Sequence, residues 1–307
     1  MEWLAHRRPP VVGPSAEARV PAPIKRAYIW DLAPGASPVR LLAEAGFAVS
    51  LLEWLDPDPS ESDAGIDTFV DRIGAAVDAV RAQGGDTPVL VGHSLGGTLA
   101  ALFAARYPER SAGLALVEAP LHFGPDAGAF APLVATSPHA RWLESGLGLV
   151  PGTFLDLVTT AAAPREFVAE RHVDFWTSLA GGALRLHLQV HRWSLDELAL
   201  PGRLVVQIVE DLYRNDRFRR GDLLVAGSRV GPDTLTVPML NVVDPHDLAI
   251  PAGSILPFHH AAASPRKQLL SYRGEPGVAL RHVGVLVGPR ALATVWPEIV
   301  AWLRELG

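Results

Sequence analysis

The sequence predicts an α/β protein: a mostly parallel sheet with helices on its faces, interrupted by one mainly helical insertion. Two observations carry this. Up to about residue 120, short apolar runs alternate with amphipathic ones, the pattern of strands buried on both faces and joined by crossover helices. From about Leu121 to Thr234 that alternation gives way to helix-like stretches broken by glycine and proline, and it resumes with "LTVPMLNVV". The expected division is therefore a sheet core from residues 1–120 and 235–307, with residues 121–234 as an inserted cap.

The elements follow in order. "FAVSLLEW" (Phe47 to Trp54) reads as a buried strand. Ile66, Phe69, Val70, Ile73, Val77 and Val80 recur at helical spacing, so one face of that helix packs on the sheet. "TPVLVG" is the next strand, then a helix from about Leu95 to Arg106 stopped by Pro108, then the strand "GLALVEAP". After the insertion, "LTVPMLNVV" and the weaker "KQLLSY" read as strands. A final helical segment, Pro289 to Leu306, carries Leu292, Val295, Trp296, Ile299 and Leu303, and Pro297 is expected to kink or split it. The stretch up to Ser15 is rich in proline and reads as irregular.

Composition narrows the function. At 307 residues, 49% hydrophobic and 20% charged, the chain can bury a full-sized core. Its net charge of −6 is spread along the sequence, and the cluster Arg217, Arg219 and Arg220 is short, so no nucleic-acid footprint is expected. Cysteine is absent, which excludes disulfides and a thiolate nucleophile. No apolar run is long enough to span a membrane, and "MEWLAHRRPPVV" carries an acid and arginines where a signal peptide is apolar. A cytoplasmic protein without a transmembrane segment is the expectation.

Gly92-His93-Ser94-Leu95-Gly96 is a G-x-S-x-G box between an apolar strand and a helix. That context defines the nucleophile elbow of the α/β-hydrolase fold, in which the serine hydroxyl stands exposed above the sheet. A serine needs a histidine to take its proton and an acid to orient that histidine, and in this fold they follow in the order Ser, Asp or Glu, His. After "VPMLNVV" come Asp244 and Asp247; further on, His282 stands in "LRHVGVLVG". His93 is held in the elbow, His246 lies in the acid loop, and His259 and His260 follow it too soon. His187 and His191 share a helix face at a spacing that zinc can use, but Leu188 replaces the glutamate of a zincin and no third ligand is evident, so no metal is expected.

Five ordered segments resemble the polyhydroxyalkanoate synthases: "YIWDLAPGASPVRLLAEAGFAVSLLEWLDPDP", "GHSLGGTLAAL", "VEDLYRNDRFRRGDLLVAGSRV", "VPMLNVVDPHDLAIP" and "HVGVLVGPRA". The resemblance runs from about Ala18 to Leu303. It implies a nucleophile at Ser94, where that family has cysteine, and a base at His282. The family acid lies four residues before a proline, which selects Asp247 before Pro251 over Asp244. Leu248 stands where the family has histidine, Arg281 where it has glycine and Lys25 where it has asparagine. The loop Val20 to Lys25 is expected to supply one oxyanion donor beside the Leu95 N–H; Pro21 and Pro23 have no N–H, so Ala22 or Ile24 must serve. Little sequence precedes this loop to hold the first two strands of the fold.

Serine in place of cysteine points from synthesis towards hydrolysis, because a serine ester is a less activated acyl donor than a thioester. The expected function is a serine-dependent acyl transfer through an acyl-Ser94 intermediate, with water as acceptor and hydroxyacyl esters or thioesters as substrates. No cofactor is expected beyond coenzyme A as part of an acyl thioester. The apolar residues Phe175, Trp176, Leu184, Leu186 and Trp193 are expected to line an acyl pocket. Two alternatives stand: a synthase-like acyltransferase using hydroxyacyl-CoA, and a non-catalytic relative that binds a partner synthase or a polyester granule. A homo-oligomer is compatible with each.

Overall fold

The computed structural model describes residues 16–306 apart from 84, 85, 126, 182 and 279. The proline-rich start lies outside the described residues. The chain runs β1 (Ala16–Val20), α1 (Pro38–Glu44), β2 (Ala48–Leu51), α2 (Ile66–Ala82), β3 (Val89–His93), α3 (Leu95–Arg106) and β4 (Gly113–Val117). There follow α4 (Phe130–Thr136), α5 (Arg141–Leu147), β5 (Leu149–Val150), α6 (Gly152–Ala162), a π-helical turn Arg165–Glu170, α7 (Arg171–Gly181), α8 (Leu184–Ser194), β6 (Leu200–Pro201), α9 (Gly202–Gln207), a second π-helical turn Ile208–Arg214, α10 (Arg217–Arg220), β7 (Leu223–Val225) and β8 (Ser228–Val230). The chain then returns with β9 (Met239–Val243), α11 (Leu256–Ala261), β10 (Lys267–Ser271), α12 (Arg281–Val287) and α13 (Pro289–Arg304).

Six strands form one sheet in the order β10-β9-β4-β3-β1-β2, and every neighbouring pair is parallel. Central strands of such a sheet are buried on both faces, and β3, β4 and β9 are buried at every position. Side chains alternate between two cores. Leu90, Leu114, Leu116 and Met239 pack with α2 and α3 on one face. Val89, Val91, Ala115, Val117, Leu240 and Val242 pack with α12 and α13 on the other. Phe218, Leu223, Val225 and Val230 join the first core, and Phe218 stacks on Phe258 at 4.5 Å, so the β7–β8 hairpin leans on the sheet's own helices.

Two expectations are revised. Two short antiparallel pairs, β5 with β6 and β7 with β8, lie within a region that reads as free of strands; two or three residues each are too few to show a period. The closing helix is not split: α13 continues through Pro297. Pro297 is exposed, while Val295, Trp296, Ile299 and Val300 on either side are buried, so packing holds the helix across the missing N–H. Among the described residues no single helix is long and apolar enough to cross a membrane.

Candidate active site

The sheet reverses its strand order between β1 and β3, since β2 lies outside β1 and the chain then crosses back to β3. The crevice at the carboxyl ends of the strands on either side of such a point is where this class of sheet places its chemistry. Here it receives Ser94 from the end of β3 and the Val20–Lys25 loop from the end of β1.

Ser94 sits at φ 53° and ψ −136°, a strained backbone for a residue with a Cβ. Its N–H bonds to the Val117 carbonyl at 3.1 Å, and α3 begins at the next residue. The turn is sharp enough that a Cβ on Gly92 would lie 2.4 Å from Gly97 Cα, and one on Gly96 would lie 2.3 Å from the Val20 carbonyl oxygen. The second contact seats the Pro21 peptide against the elbow. Pro21, Ala22, Ile24 and Leu95 line one cavity with Ser94 and His282. Both candidate oxyanion residues of the loop therefore border the same cavity as the serine, and Ala22 directly follows the residue that touches the elbow.

Lys25 has a structural role. Its Nζ bonds to the Ser194 carbonyl at 2.6 Å and forms an ion pair with Glu197. The Leu198 N–H donates to the Ile24 carbonyl at 3.0 Å, and Trp193 Nε1 donates to the Arg26 carbonyl at 2.8 Å. The loop is thereby tied to residues 193–198, the last turn of α8 and the segment after it.

Asp247 and His282 meet across the ends of β9 and α12. Asp247 Oδ2 is 2.8 Å from His282 Nδ1, while Oδ1 accepts the N–H groups of Ala249 at 2.8 Å and Ile250 at 3.0 Å. Burial alone would raise the Asp247 carboxyl; the His282 charge and these hydrogen bonds outweigh it and hold the group below its ordinary range. His282 moves the other way: burial opposes its charge, but Asp247 and Glu118 raise it well above 6.5. Its Nε2 has no hydrogen-bond partner among the described residues.

Asp244 is elsewhere engaged. It is fully buried and takes a two-pronged contact from Arg281, Nε to Oδ2 at 2.7 Å and an Nη to Oδ1 at 3.1 Å. The arginine that departs from the synthase pattern thus pairs with the other aspartate of this loop.

His93 bonds through Nε2 to the His282 carbonyl at 3.0 Å, and the two rings lie 4.6 Å apart. Burial and the neighbouring imidazole push His93 down to about 3, so it stays neutral. One residue that sequence reasoning passed over is Glu118, at the end of β4. It is fully buried, and its Oε2 lies 3.1 Å from His282 Nδ1. The signal was an acid closing the apolar run "GLALVE". His93, Glu118 and His282 bring ligand-type atoms within 4.8 Å of one another, but His93 Nε2 and His282 Nδ1 already hold the His282 carbonyl and Asp247. Hydrogen bonds join His93, His282 and Asp247, and the Glu118 carboxyl lies beside them. His187 and His191 face different neighbours: Phe175 edges onto His187, and Arg171 lies 2.6 Å from His191.

The cavity of about 260 Å³ is mainly apolar, with Phe130, Leu133, Leu155, Phe167, Ile208 and Tyr213 among its walls. Of the five cap residues expected there, only Trp193 lines it. Trp176 is 69% exposed. The amphipathic face of α7 points elsewhere, and the walls come from α4, α6 and the two π-helical turns, whose register no regular period discloses.

Comparison with known proteins agrees with this fold. A family model described as alpha/beta hydrolase fold matches residues 36–154. A monoacylglycerol lipase from Paleococcus ferrophilus superimposes with a TM-score of 0.63 at 17% identity, covering 96% of this chain and 97% of the lipase. An esterase from Thermogutta terrifontis gives 0.58 at 18% identity, covering 96% and 91%. The chain has the α/β-hydrolase fold. Within that fold its relatives are poly(3-hydroxyalkanoate) polymerase subunits PhaC. It is 29% identical to that of Haloferax mediterranei over 92% of this chain and 57% of the relative. It is 27% identical to that of Haloarcula marismortui over 92% and 59%, and 24% identical to that of Allochromatium vinosum over 92% and 78%. The chain thus spans under two thirds of the length of the first two.

Proposed function

We propose that the chain is a serine-dependent acyl-transfer enzyme that hydrolyses hydroxyacyl esters or thioesters through an ester on Ser94. The observation that carries this is the Asp247–His282 pair, 2.8 Å apart, opening on the cavity lined by Ser94. Ser94 Oγ attacks the acyl carbonyl as its proton passes to His282 Nε2, while Asp247 accepts the Nδ1–H and stabilises the imidazolium. The Leu95 N–H and an N–H of the Val20–Lys25 loop, Ala22 or Ile24, stabilise the oxyanion. The bond to the leaving alcohol or thiol then breaks, and that group takes the proton from His282. A water, deprotonated by the same nitrogen, attacks the Ser94 ester; the ester bond breaks, free acid leaves and Ser94 regains its proton. In this reading residues 121–234 cover the serine, and their apolar walls receive the acyl chain.

The polymerase relatives favour a second reading, in which the acceptor is the hydroxyl of another hydroxyacyl unit instead of water. Incubation with 3-hydroxybutyryl-CoA separates the two. Release of coenzyme A and free acid in equal amounts, abolished in Ser94→Ala, supports hydrolysis; a ladder of added hydroxyacyl masses overturns it in favour of polymer growth. In either case coenzyme A enters as part of the substrate. The hydrolytic reading requires neither a granule surface nor a second copy of the chain as partner.

A further inference from the structure

The mechanism above uses one carboxylate on His282, yet two reach it. Glu118 Oε2 lies 3.1 Å from Nδ1 and Asp247 Oδ2 lies 2.8 Å from the same atom. They arrive from neighbouring strands, because β4 pairs with β9 with Val117 opposite Val242. The Glu118 N–H donates to the Val242 carbonyl at 3.0 Å, and a φ of 46° turns the chain at the strand end. A residue with a Cβ rarely adopts that backbone, and strain of this kind persists where the surroundings over-determine it. The carboxyl is fully buried, and neither oxygen has a hydrogen-bond partner among the described residues, the His282 ring being in ion-pair contact only. A buried carboxyl with no anchor of its own costs stability, so this is a poor place for an acid with no task at the imidazole.

We infer that Glu118 is a second acid for His282, a positioning residue that shares the Nδ1 edge with Asp247 and orients the ring when Asp247 is neutralised. The inference rests on His282 being the base proposed above. Burial, with the neighbouring charges of Asp247 and Asp244, holds Glu118 up at about 8 despite its contact with His282. At neutral pH it is therefore the protonated member of the pair, and Asp247 carries the charge. The other groups facing this cluster are fixed. Arg281 is on Asp244, His93 is held neutral, and the Tyr272 phenol, raised by burial, donates to Glu275 at 3.2 Å. Replacing Asp247 by Asn removes the competing charge, so Glu118 loses its proton to solvent and accepts the Nδ1–H.

The test uses the full chain with Asp247→Asn, Glu118→Gln and the double variant, hydrolysis of p-nitrophenyl butyrate from pH 5 to 10, and NMR of the His282 ring. Asp247→Asn should lose about 10- to 100-fold in kcat/KM instead of the ~10⁴-fold of an orphaned base. The double variant should lose at least about 30-fold more. In Glu118→Gln the imidazole should titrate at lower pH than in the wild type, since Glu118 is one of the groups that raise it. Equal activities of Asp247→Asn and the double variant, with an unchanged His282 titration in Glu118→Gln, would overturn the inference. The NMR titration needs no turnover, so a wild type without Ser94-dependent hydrolysis defeats the functional reading while the ring still reports on Glu118.

Discussion

Breaking the Arg281–Asp244 pair tests whether the two aspartates of the acid loop have separate duties. Asp244 is wholly buried, and both its oxygens meet Arg281, which is itself 27% exposed. Arg281→Ala leaves a carboxylate in the interior whose remaining contacts include the His246 N–H at 2.9 Å. Removing one partner of a buried pair typically costs ~3–5 kcal/mol. Water reaching the space vacated by the partly exposed arginine places this case at the lower end, about 3 kcal/mol. At ~2.1 cal/mol/K per residue over roughly 300 residues, the unfolding entropy is ~0.6 kcal/mol/K, so Tm should fall by about 5 °C. Urea unfolding and calorimetry at pH 7 read both quantities. Adding Asp244→Asn to Arg281→Ala removes the stranded charge and should return about 2 kcal/mol of the loss. An Arg281→Ala variant within ~1 kcal/mol of wild type, or a double variant no more stable than the single, would refute the assignment of Asp244 to structure.

Other consequences follow from the same geometry. His282 must be neutral to take the serine proton and its titration is raised, so kcat/KM should be lost as pH falls through a midpoint above 6.5; removing both acids in Asp247→Asn with Glu118→Gln should move that midpoint down. Gly96→Ala puts a methyl group 2.3 Å from the Val20 carbonyl and 2.4 Å from Pro21 C, displacing the loop proposed to supply an oxyanion donor; kcat should fall by ~10²-fold or more, the worth of one such donor. Pro297→Ala restores an N–H on the exposed side of α13 and should stabilise the protein by about 1–3 kcal/mol in urea unfolding, against the ~3 kcal/mol cost of an interior proline. For p-nitrophenyl esters of growing chain length, kcat/KM should rise about fourfold per methylene, at ~0.8 kcal/mol each, until the cavity is filled.

The residues that read most plainly from sequence are those whose backbone role leaves a fixed spacing. The elbow glycines, the Leu95–Arg106 helix and the central strands recur where periodicity puts them, because burial on both faces of a parallel sheet demands continuous apolar runs. Asp247 and His282 stand at the strand ends where chain order directs the search, and the structure brings them into contact. What escaped the sequence depends on contacts between distant segments. Glu118 meets His282 only because β4 and β9 are neighbours, and Lys25 meets Glu197 only once α8 has delivered residues 194–197 to the loop. Pro297 misleads for the same reason: local propensity argues for a break, and packing of Trp296 and Ile299 overrides it.

The most direct test of the acyl-serine account is intact-protein mass after treatment with a fluorophosphonate, on the wild type and on Ser94→Ala. The account predicts one covalent adduct per chain on the wild type, mapped to Ser94, and none on the variant. A folded wild type that stays unlabelled, or an adduct that persists in Ser94→Ala, would contradict it and leave a chain that binds a partner or a polyester surface without performing the chemistry.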